Sequence, residues 1–144
     1  MSDKQTELGK RIPELISALT TPTVDPLTGK TTRVYDVHVG VISTNLGSNG
    51  TSFCGTSKHP DDKGWLLPRA PSAGDPPLQG YRLDDSKNPV AEACPEPRPN
   101  EPISWVSDAK RDPSARFVGD DGAKQLQVAS SCAVASVQSD GCGV

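Results

Sequence analysis

The strongest strand signal in this chain is in residues 33–47, which read Arg-Val-Tyr-Asp-Val-His-Val-Gly-Val-Ile-Ser-Thr-Asn-Leu-Gly. One set of apolar and aromatic side chains recurs here at every second residue: Tyr35, Val37, Val39 and Val41. This period is typical of a β-strand, in which successive side chains point to opposite faces. Because Gly40, Val41 and Ile42 are apolar on both faces, we expect burial to increase toward the end of the strand, as in a central strand covered by helices.

The composition limits how much of the 144-residue chain can enter a core. Only 33% of the residues are hydrophobic and 4% are aromatic, while the chain contains 14 prolines and 13 glycines. Apolar surface is therefore scarce and must be concentrated in a few segments. We expect one domain over residues 1–144, in which the proline-rich segment 48–102 forms a long loop insertion or is partly disordered.

Charge and hydropathy exclude two classes of partner. The net charge is −3, and no run of Lys or Arg gathers on one stretch, so we expect no binding to nucleic acid or to an anionic membrane surface. No apolar run approaches the length needed to span a bilayer, and no targeting segment begins the chain, which taken alone favours the cytoplasm.

The cysteines favour a different compartment. They are even in number and include no C-x-x-C pair: Cys54, Cys94, Cys132 and Cys142. Their spacing is poor for a zinc site, so two disulfides in an oxidising compartment, or four unpaired and mostly buried thiols, are the two alternatives. If disulfides form, we prefer Cys54 with Cys94 because that bond closes a large loop, and Cys132 is close in sequence to Cys142.

The N-terminal residues predict a helix from about 4 to 19. Five apolar side chains recur there at helical spacing: Leu8, Ile12, Leu15, Ile16 and Leu19. Pro13 lies inside this stripe, and because proline removes one backbone donor we expect one kinked helix rather than two. A helix that precedes the strand in this way is the basic unit of an α/β layer fold.

The C-terminal third predicts one more strand and one more helix. Residues 103–106, Ile-Ser-Trp-Val, have the composition of a short strand, and residues 116–118 could anchor the following loop in the core. Asp120 or Asp121 could cap a helix that ends near residues 139–141. The predicted buried face of this helix consists of Leu126, Ser130, Ala133, Val134 and Val137.

Four segments together resemble a bacterial subgroup of von Willebrand factor A-like (VWA) domains. They are Asp3-Lys4-Gln5 opening a helix that contains Pro13, residues 36–47, Asp61-Asp62-Lys63-Gly64 in a cysteine-containing loop, and Gly141-Cys142-Gly143. The resemblance covers the first 50 residues and about the last 30. It implies a three-layer, Rossmann-like sheet flanked by helices, and a domain that binds protein ligands at a metal-ion-dependent adhesion site rather than catalysing a reaction.

The metal motifs of that family do not map onto this chain. The family's D-x-S-x-S motif ends a strand before the first helix, its second acidic motif would fall beyond Val144, and no threonine lies near residues 141–143. We therefore expect a partial domain that lacks a complete adhesion site, with no cofactor in this chain, although Mg²⁺ or another divalent cation could occupy a complete family domain. No catalytic or metal-binding residue can be assigned.

Three hypotheses for function follow. The first is a non-enzymatic VWA-like interaction domain of an exported, extracytoplasmic bacterial protein, with a protein ligand. The second is a small hydrolase or redox protein that uses Cys and His, for example Cys54 with His59. The third is a remnant without autonomous function. The remaining polar groups are expected to be structural: Asp61-Asp62, Asp84-Asp85 and Asp120-Asp121 as solvated charges or caps, and His38 as a hydrogen-bonded strand residue.

Overall fold

The computed structural model describes residues 2–42, 66, 77–98 and 100–137. The elements of these ranges are α1 (Ser2–Thr20), β1 (Thr23–Val24), β2 (Thr31–Thr32), β3 (Asp36–Val39), β4 (Gln79–Leu83), β5 (Pro89–Ala93), β6 (Ile103–Val106), β7 (Phe117–Val118) and α2 (Gly119–Ala135). β1 pairs with β2, β4 pairs with β5, and β3, β6 and β7 form a three-stranded sheet. The mixture of helices and sheets confirms the fold class in its general form.

The strand of Ile103–Val106, and not the strand in residues 33–47, is the central one of the three-stranded sheet. β3 pairs with β6 in antiparallel orientation, with Val37 opposite Trp105, and β7 pairs with β6 in parallel orientation, with Phe117 opposite Trp105. The prediction of the short strand at 103–106 and of an anchor at 116–118 is confirmed.

The expectation that burial increases along β3 is wrong within the described residues. Val37 is buried, Asp36 and His38 on either side of it are exposed, and Ile42 is 64% exposed. The physical reason is that β3 is an edge strand in the described sheet, where only the side of Val37 faces the core. The alternation of side chains over residues 36–39 agrees with the predicted period of two.

The core lies between the three-stranded sheet and α2. Its buried members are Ile16, Val37, Ile103, Trp105, Phe117, Leu126, Ala129 and Ala133. Small residues let the helix approach closely: a Cβ on Gly122 would lie 2.9 Å from the carbonyl carbon of Phe117. The indole Nε1 of Trp105 donates a 2.7 Å hydrogen bond to the carbonyl oxygen of Gly119, so the largest core side chain has its polar group satisfied.

α2 begins and ends earlier than the sequence predicts. Its N-cap is Val118, whose side chain makes no capping hydrogen bond, while Asp120 and Asp121 lie inside the first turn. Acidic residues in a first turn still interact favourably with the helix dipole. Burial is continuous from Leu126 to Val134 rather than confined to one face, because α2 contacts the sheet, α1 and β4.

α1 forms over the predicted range as one helix that continues through Pro13. Its buried positions are Gly9, Pro13, Ile16 and Thr20. Three of the five residues of the predicted apolar stripe, Leu8, Leu15 and Leu19, are instead 52%, 56% and 39% exposed. Close packing on α2 selects the face with the small Gly9, so the bulky leucines are rotated away from the core.

A hydroxyl group of α2 compensates for the proline in α1. In an α-helix the carbonyl of Gly9 would accept a hydrogen bond from the N–H of residue 13, but Pro13 has none. The Oγ of Ser131 donates a 2.8 Å hydrogen bond to that carbonyl oxygen instead. This contact explains how a buried proline is tolerated in the middle of a helix.

The β4–β5 hairpin lies inside the segment that the sequence predicts to be loop. The carboxylate of Asp84 accepts hydrogen bonds from the backbone N–H groups of Ser86 and Asn88, and Lys87 has a positive φ of 63°. These features form the turn. The hairpin packs on α2, where the side-chain oxygen of Gln127 accepts a 2.9 Å hydrogen bond from the N–H of Leu83.

Candidate functional site

The structure pairs Cys94 with Cys132, across a Cα–Cα distance of 5.8 Å. The preferred bond between Cys54 and Cys94 is therefore wrong, and so is a bond between Cys132 and Cys142. Of the two alternatives for the cysteines, the disulfide is confirmed for Cys94 with Cys132. The reason is spatial: Cys94 directly follows β5, and the hairpin brings it against the buried segment of α2 that contains Cys132. Cys54 and Cys142 lie outside the described residues.

The two acidic pairs within the described residues, Asp84-Asp85 and Asp120-Asp121, do not converge on a cation site. Asp84 forms the hairpin turn, and Asp120 and Asp121 occupy the first turn of α2, while Asp61-Asp62 falls outside the described ranges. Within residues 2–42, 77–98 and 100–137, no group of three or more His, Cys, Asp or Glu side chains could hold a metal ion. These carboxylates therefore do not fit the hard-cation site that the family resemblance implies.

Of the two histidines, His38 lies within the described residues. The Nε2 of His38 lies 3.1 Å from the Oδ1 of Asp36, two residues earlier on β3, and both side chains are half-exposed. His38 is thus an exposed strand residue beside a carboxylate, and the hydrogen bond expected for it stays a prediction. His59 lies outside the described residues, so the pairing of Cys54 with His59 stays a hypothesis.

A contact between Tyr35 and Arg111 forms the centre of an exposed surface. The guanidinium carbon of Arg111 lies 4.0 Å from the centroid of the Tyr35 ring, which is the geometry of a cation–π interaction. The Tyr35 carbonyl accepts a 2.9 Å hydrogen bond from the N–H of Ser107, so the ring is attached to a fixed backbone. Tyr35 nevertheless remains 46% exposed.

The loop that carries Arg111 is fixed by two turns. The Oδ1 of Asp108 accepts a hydrogen bond from the N–H of Lys110. The Oδ1 of Asp112 accepts hydrogen bonds from both the N–H and the hydroxyl of Ser114. The hydrogen bonds from the hydroxyl and then from the backbone N–H of Ser114 are the main causes that lower the pKa of Asp112. The contact of Arg111 with Tyr35 places the loop beside the start of β3.

We give the name Tyr35 surface to Tyr35 and Arg111, which are in contact, together with their neighbours in sequence Asp36, His38 and Asp112. It combines one aromatic ring, two carboxylates, one guanidinium and one imidazole, all at least partly accessible to solvent. Opposite charges are interspersed on it, so it presents no uniform potential to a polyanion. Its geometry can supply an aromatic contact together with donors and acceptors of hydrogen bonds.

Sequence reasoning did not find this surface. In the sequence, Tyr35 has only the pattern of a strand residue, and Arg111 lies in a segment with no motif around it. The two residues meet because β6 returns antiparallel beside β3, which places the loop after β6 next to the start of β3. An inference from sequence alone would have required that strand pairing.

Comparison with known proteins gave no match: no protein-family model, no curated protein and no solved structure is significantly similar to this chain. Among the described residues, no helix is both long enough and apolar enough to cross a membrane.

Proposed function

We propose that this chain is a non-enzymatic protein-interaction domain that binds a protein ligand through the Tyr35 surface. The observation that carries the proposal is the contact of Arg111 with the half-exposed ring of Tyr35, which holds two side chains of the types most enriched at binding hot spots.

Preorganisation supports this function. Binding immobilises side chains at a cost of about 0.5–1.5 kcal/mol for each flexible one. Arg111 already rests on the ring of Tyr35, and the N–H of Arg111 donates a 3.0 Å hydrogen bond to the carbonyl of Asp108. Part of that ordering cost is therefore met before a ligand arrives, so a partner gains more of its contact energy as affinity.

The distribution of charge supports a protein as the ligand. The Tyr35 surface includes two carboxylates, Asp36 and Asp112, and two basic groups, Arg111 and His38, and the whole chain has a net charge of −3. A partner with mixed donors and acceptors complements such a surface, whereas a polyanion would meet repulsion from the carboxylates.

The finer assignment, also proposed here, is a VWA-like domain with three layers from an exported bacterial protein. It rests on the resemblance of residues 36–47 and 141–143 and is compatible with the mixed helices and sheets. The disulfide between Cys94 and Cys132 supports an oxidising compartment, where such bonds persist. No bound cation is needed for contacts made by the Tyr35 surface itself.

The test is quantitative affinity capture from extract of the source organism with immobilised protein. Wild type, Tyr35→Ala and, as control, Tyr81→Ala on the β4–β5 hairpin are compared by mass spectrometry. A ligand that is retained by wild type and by Tyr81→Ala but is lost from Tyr35→Ala supports the proposal. Equal retention by all three proteins would place binding elsewhere and would reject it.

A further inference from the structure

One face of α1 presents apolar side chains to solvent. Leu8, Leu15 and Leu19 are 52%, 56% and 39% exposed, and Ile12, which lies between them, is only partly buried against the core. The four positions are separated by four, three and four residues, so they lie on one line along the helix. We call these four residues the leucine stripe.

The leucine stripe is separate from the face that packs on the core. The buried positions of α1 are offset from it by about a quarter turn, since Gly9 follows Leu8 and Ile16 follows Leu15 by one residue. α1 therefore packs on α2 and β4 with one face while a second apolar face remains accessible. Three exposed leucines in one line are not required by the fold of the domain.

The spacing of the leucine stripe identifies the occupant. Separations of four, three and four residues are those of the a and d positions of a coiled coil. The same series read in reverse is unchanged, so the stripe is complementary to a second copy of itself in antiparallel orientation. A two-fold interface requires such self-complementarity, because each residue i that contacts j must also be contacted as j by i.

We propose that two copies of this chain pair through the leucine stripe, with their α1 helices antiparallel. Leu8 then lies opposite the partner's Leu19, and Ile12 lies opposite the partner's Leu15. We call each of these two contacts a layer. Each layer occurs twice because of the two-fold axis, which passes near Pro13 and Glu14. The pairing extends the apolar contact of α1 from one face to two.

The charges beside the leucine stripe are compatible with this arrangement. Arg11 lies at its outer rim and is paired within the helix to Glu7 and Glu14, at 3.2 and 3.1 Å. The antiparallel register brings Arg11 nearest to the partner's Ala18, so no pair of like charges faces across the seam.

The size of the contact sets the expected strength. A 19-residue helix is roughly 28 Å long, and one face of it buries less than the roughly 800 Å² per partner of a standard stable interface. Dimerisation should therefore be weak and depend on concentration, with a dissociation constant of the order of micromolar.

Sedimentation velocity of the full chain over a range of concentrations tests the proposal. The wild-type protein should shift from monomer to dimer, and Leu15→Lys should raise the dissociation constant of the dimer at least tenfold. Leu27→Lys is the matched control, because Leu27 is 94% exposed in the turn between β1 and β2, away from the leucine stripe. Its dissociation constant should equal that of wild type.

Mixing two variants tests the orientation. L8K and L19E should each associate more weakly than wild type, because either change disrupts both copies of one layer. An equimolar mixture should regain dimer, since the antiparallel register juxtaposes the new lysine and the new glutamate and leaves the other Leu8–Leu19 layer intact. A parallel register would bring neither charge to the other.

Three results would overturn the proposal. They are a wild-type protein that stays monomeric up to millimolar concentration, a loss of dimer in Leu27→Lys equal to that in Leu15→Lys, and a mixture of L8K and L19E that associates no better than either variant alone. The circular dichroism of each variant shows whether it is folded. None of these results depends on the Tyr35 surface, so the proposed function and this inference fail separately.

Discussion

The Ser131 hydroxyl donates a hydrogen bond of 2.8 Å to the carbonyl oxygen of Gly9, the carbonyl that Pro13 leaves without its helical donor. This hydrogen bond joins α2 to α1 at the carbonyl that would otherwise be a buried, unsatisfied acceptor. Because a buried unsatisfied polar group costs about 1–3 kcal/mol, this contact is a measurable part of the stability of the domain.

A double-mutant cycle measures this relationship. Ser131→Ala should lower the free energy of unfolding by about 1–3 kcal/mol, because the Gly9 carbonyl loses its donor while remaining buried. In a Pro13→Ala background the same change should cost less, since residue 13 then supplies an N–H within α1. Urea denaturation of the four proteins gives the coupling energy. Strictly additive effects would show that Ser131 does not compensate for Pro13.

Two glycines that face α2 should respond in opposite ways to alanine. A Cβ on Gly80 would lie 2.5 Å from the Sγ of Cys132 and 2.5 Å from the carbonyl oxygen of Val128, so Gly80→Ala should destabilise the protein by about 1–3 kcal/mol. A Cβ on Gly9 would meet the Oγ of Ser131 at 3.4 Å and the carbonyl oxygen of Ser131 at 3.9 Å, which are van der Waals contacts and not clashes.

Gly9→Ala is therefore the matched control. It should leave the stability unchanged or raise it by about 0.5–1 kcal/mol, because alanine is the better residue in a helix interior. Thermal unfolding of the two variants compares them directly. Equal destabilisation by both substitutions would show that the close approach of β4 to α2 is not specific to Gly80.

The disulfide should stabilise the hairpin against α2. Cys94 and Cys132 are separated by 38 residues, and the chain-entropy model gives about 3–4 kcal/mol for a loop of that length. The Cys94→Ala, Cys132→Ala double variant should accordingly lose about 2–4 kcal/mol in urea denaturation. Peptide mapping without reduction should recover Cys94 linked to Cys132. A peptide that links Cys94 to Cys54 would contradict the structure.

The turn at Asp25 should make the free energy of unfolding depend on pH in the acid range. Hydrogen bonds from the Thr28 hydroxyl, at 2.6 Å, and from the N–H of Leu27 lower the pKa of Asp25 below its ordinary value of 3.8. A lowered pKa in the folded state contributes stability that is complete above the ordinary value and is lost as the pH falls through the lowered one.

The carboxyl titration of Asp25 followed by NMR is the measurement. Its midpoint should lie below 3.8 in the wild-type protein and should rise in Thr28→Val, because the largest cause of the shift is then absent. A midpoint that does not change in Thr28→Val would show that the Thr28 hydroxyl does not hold the carboxylate.

Local patterns in the sequence predict the elements that depend on local contacts. The helix through Pro13, the strand at residues 103–106 and the alternation over residues 36–39 all follow from spacing and composition. Each of these signals is carried by neighbouring residues, so no knowledge of the rest of the chain is needed.

The predictions that are wrong concern features that depend on contacts between distant segments of the chain. The pairing of β3 with β6 makes β3 an edge strand of the described sheet, and the docking of the hairpin on α2 selects Cys132 as the partner of Cys94. The rotation of α1, which exposes Leu15 and buries Gly9, likewise follows from helix packing and not from hydropathy. The Tyr35 surface combines two such segments and was missed for the same reason.

The measurement that tests the proposed function most directly is the dissociation constant of the captured ligand for three proteins, determined by isothermal titration calorimetry. Arg111→Ala should weaken binding at least tenfold relative to wild type, because it removes the guanidinium that rests on Tyr35. Lys110→Ala, the neighbouring change in the same loop, should stay within about twofold, since the hydrogen bond described for Lys110 comes from its backbone N–H, which alanine keeps. Equal constants for wild type and Arg111→Ala would contradict the account.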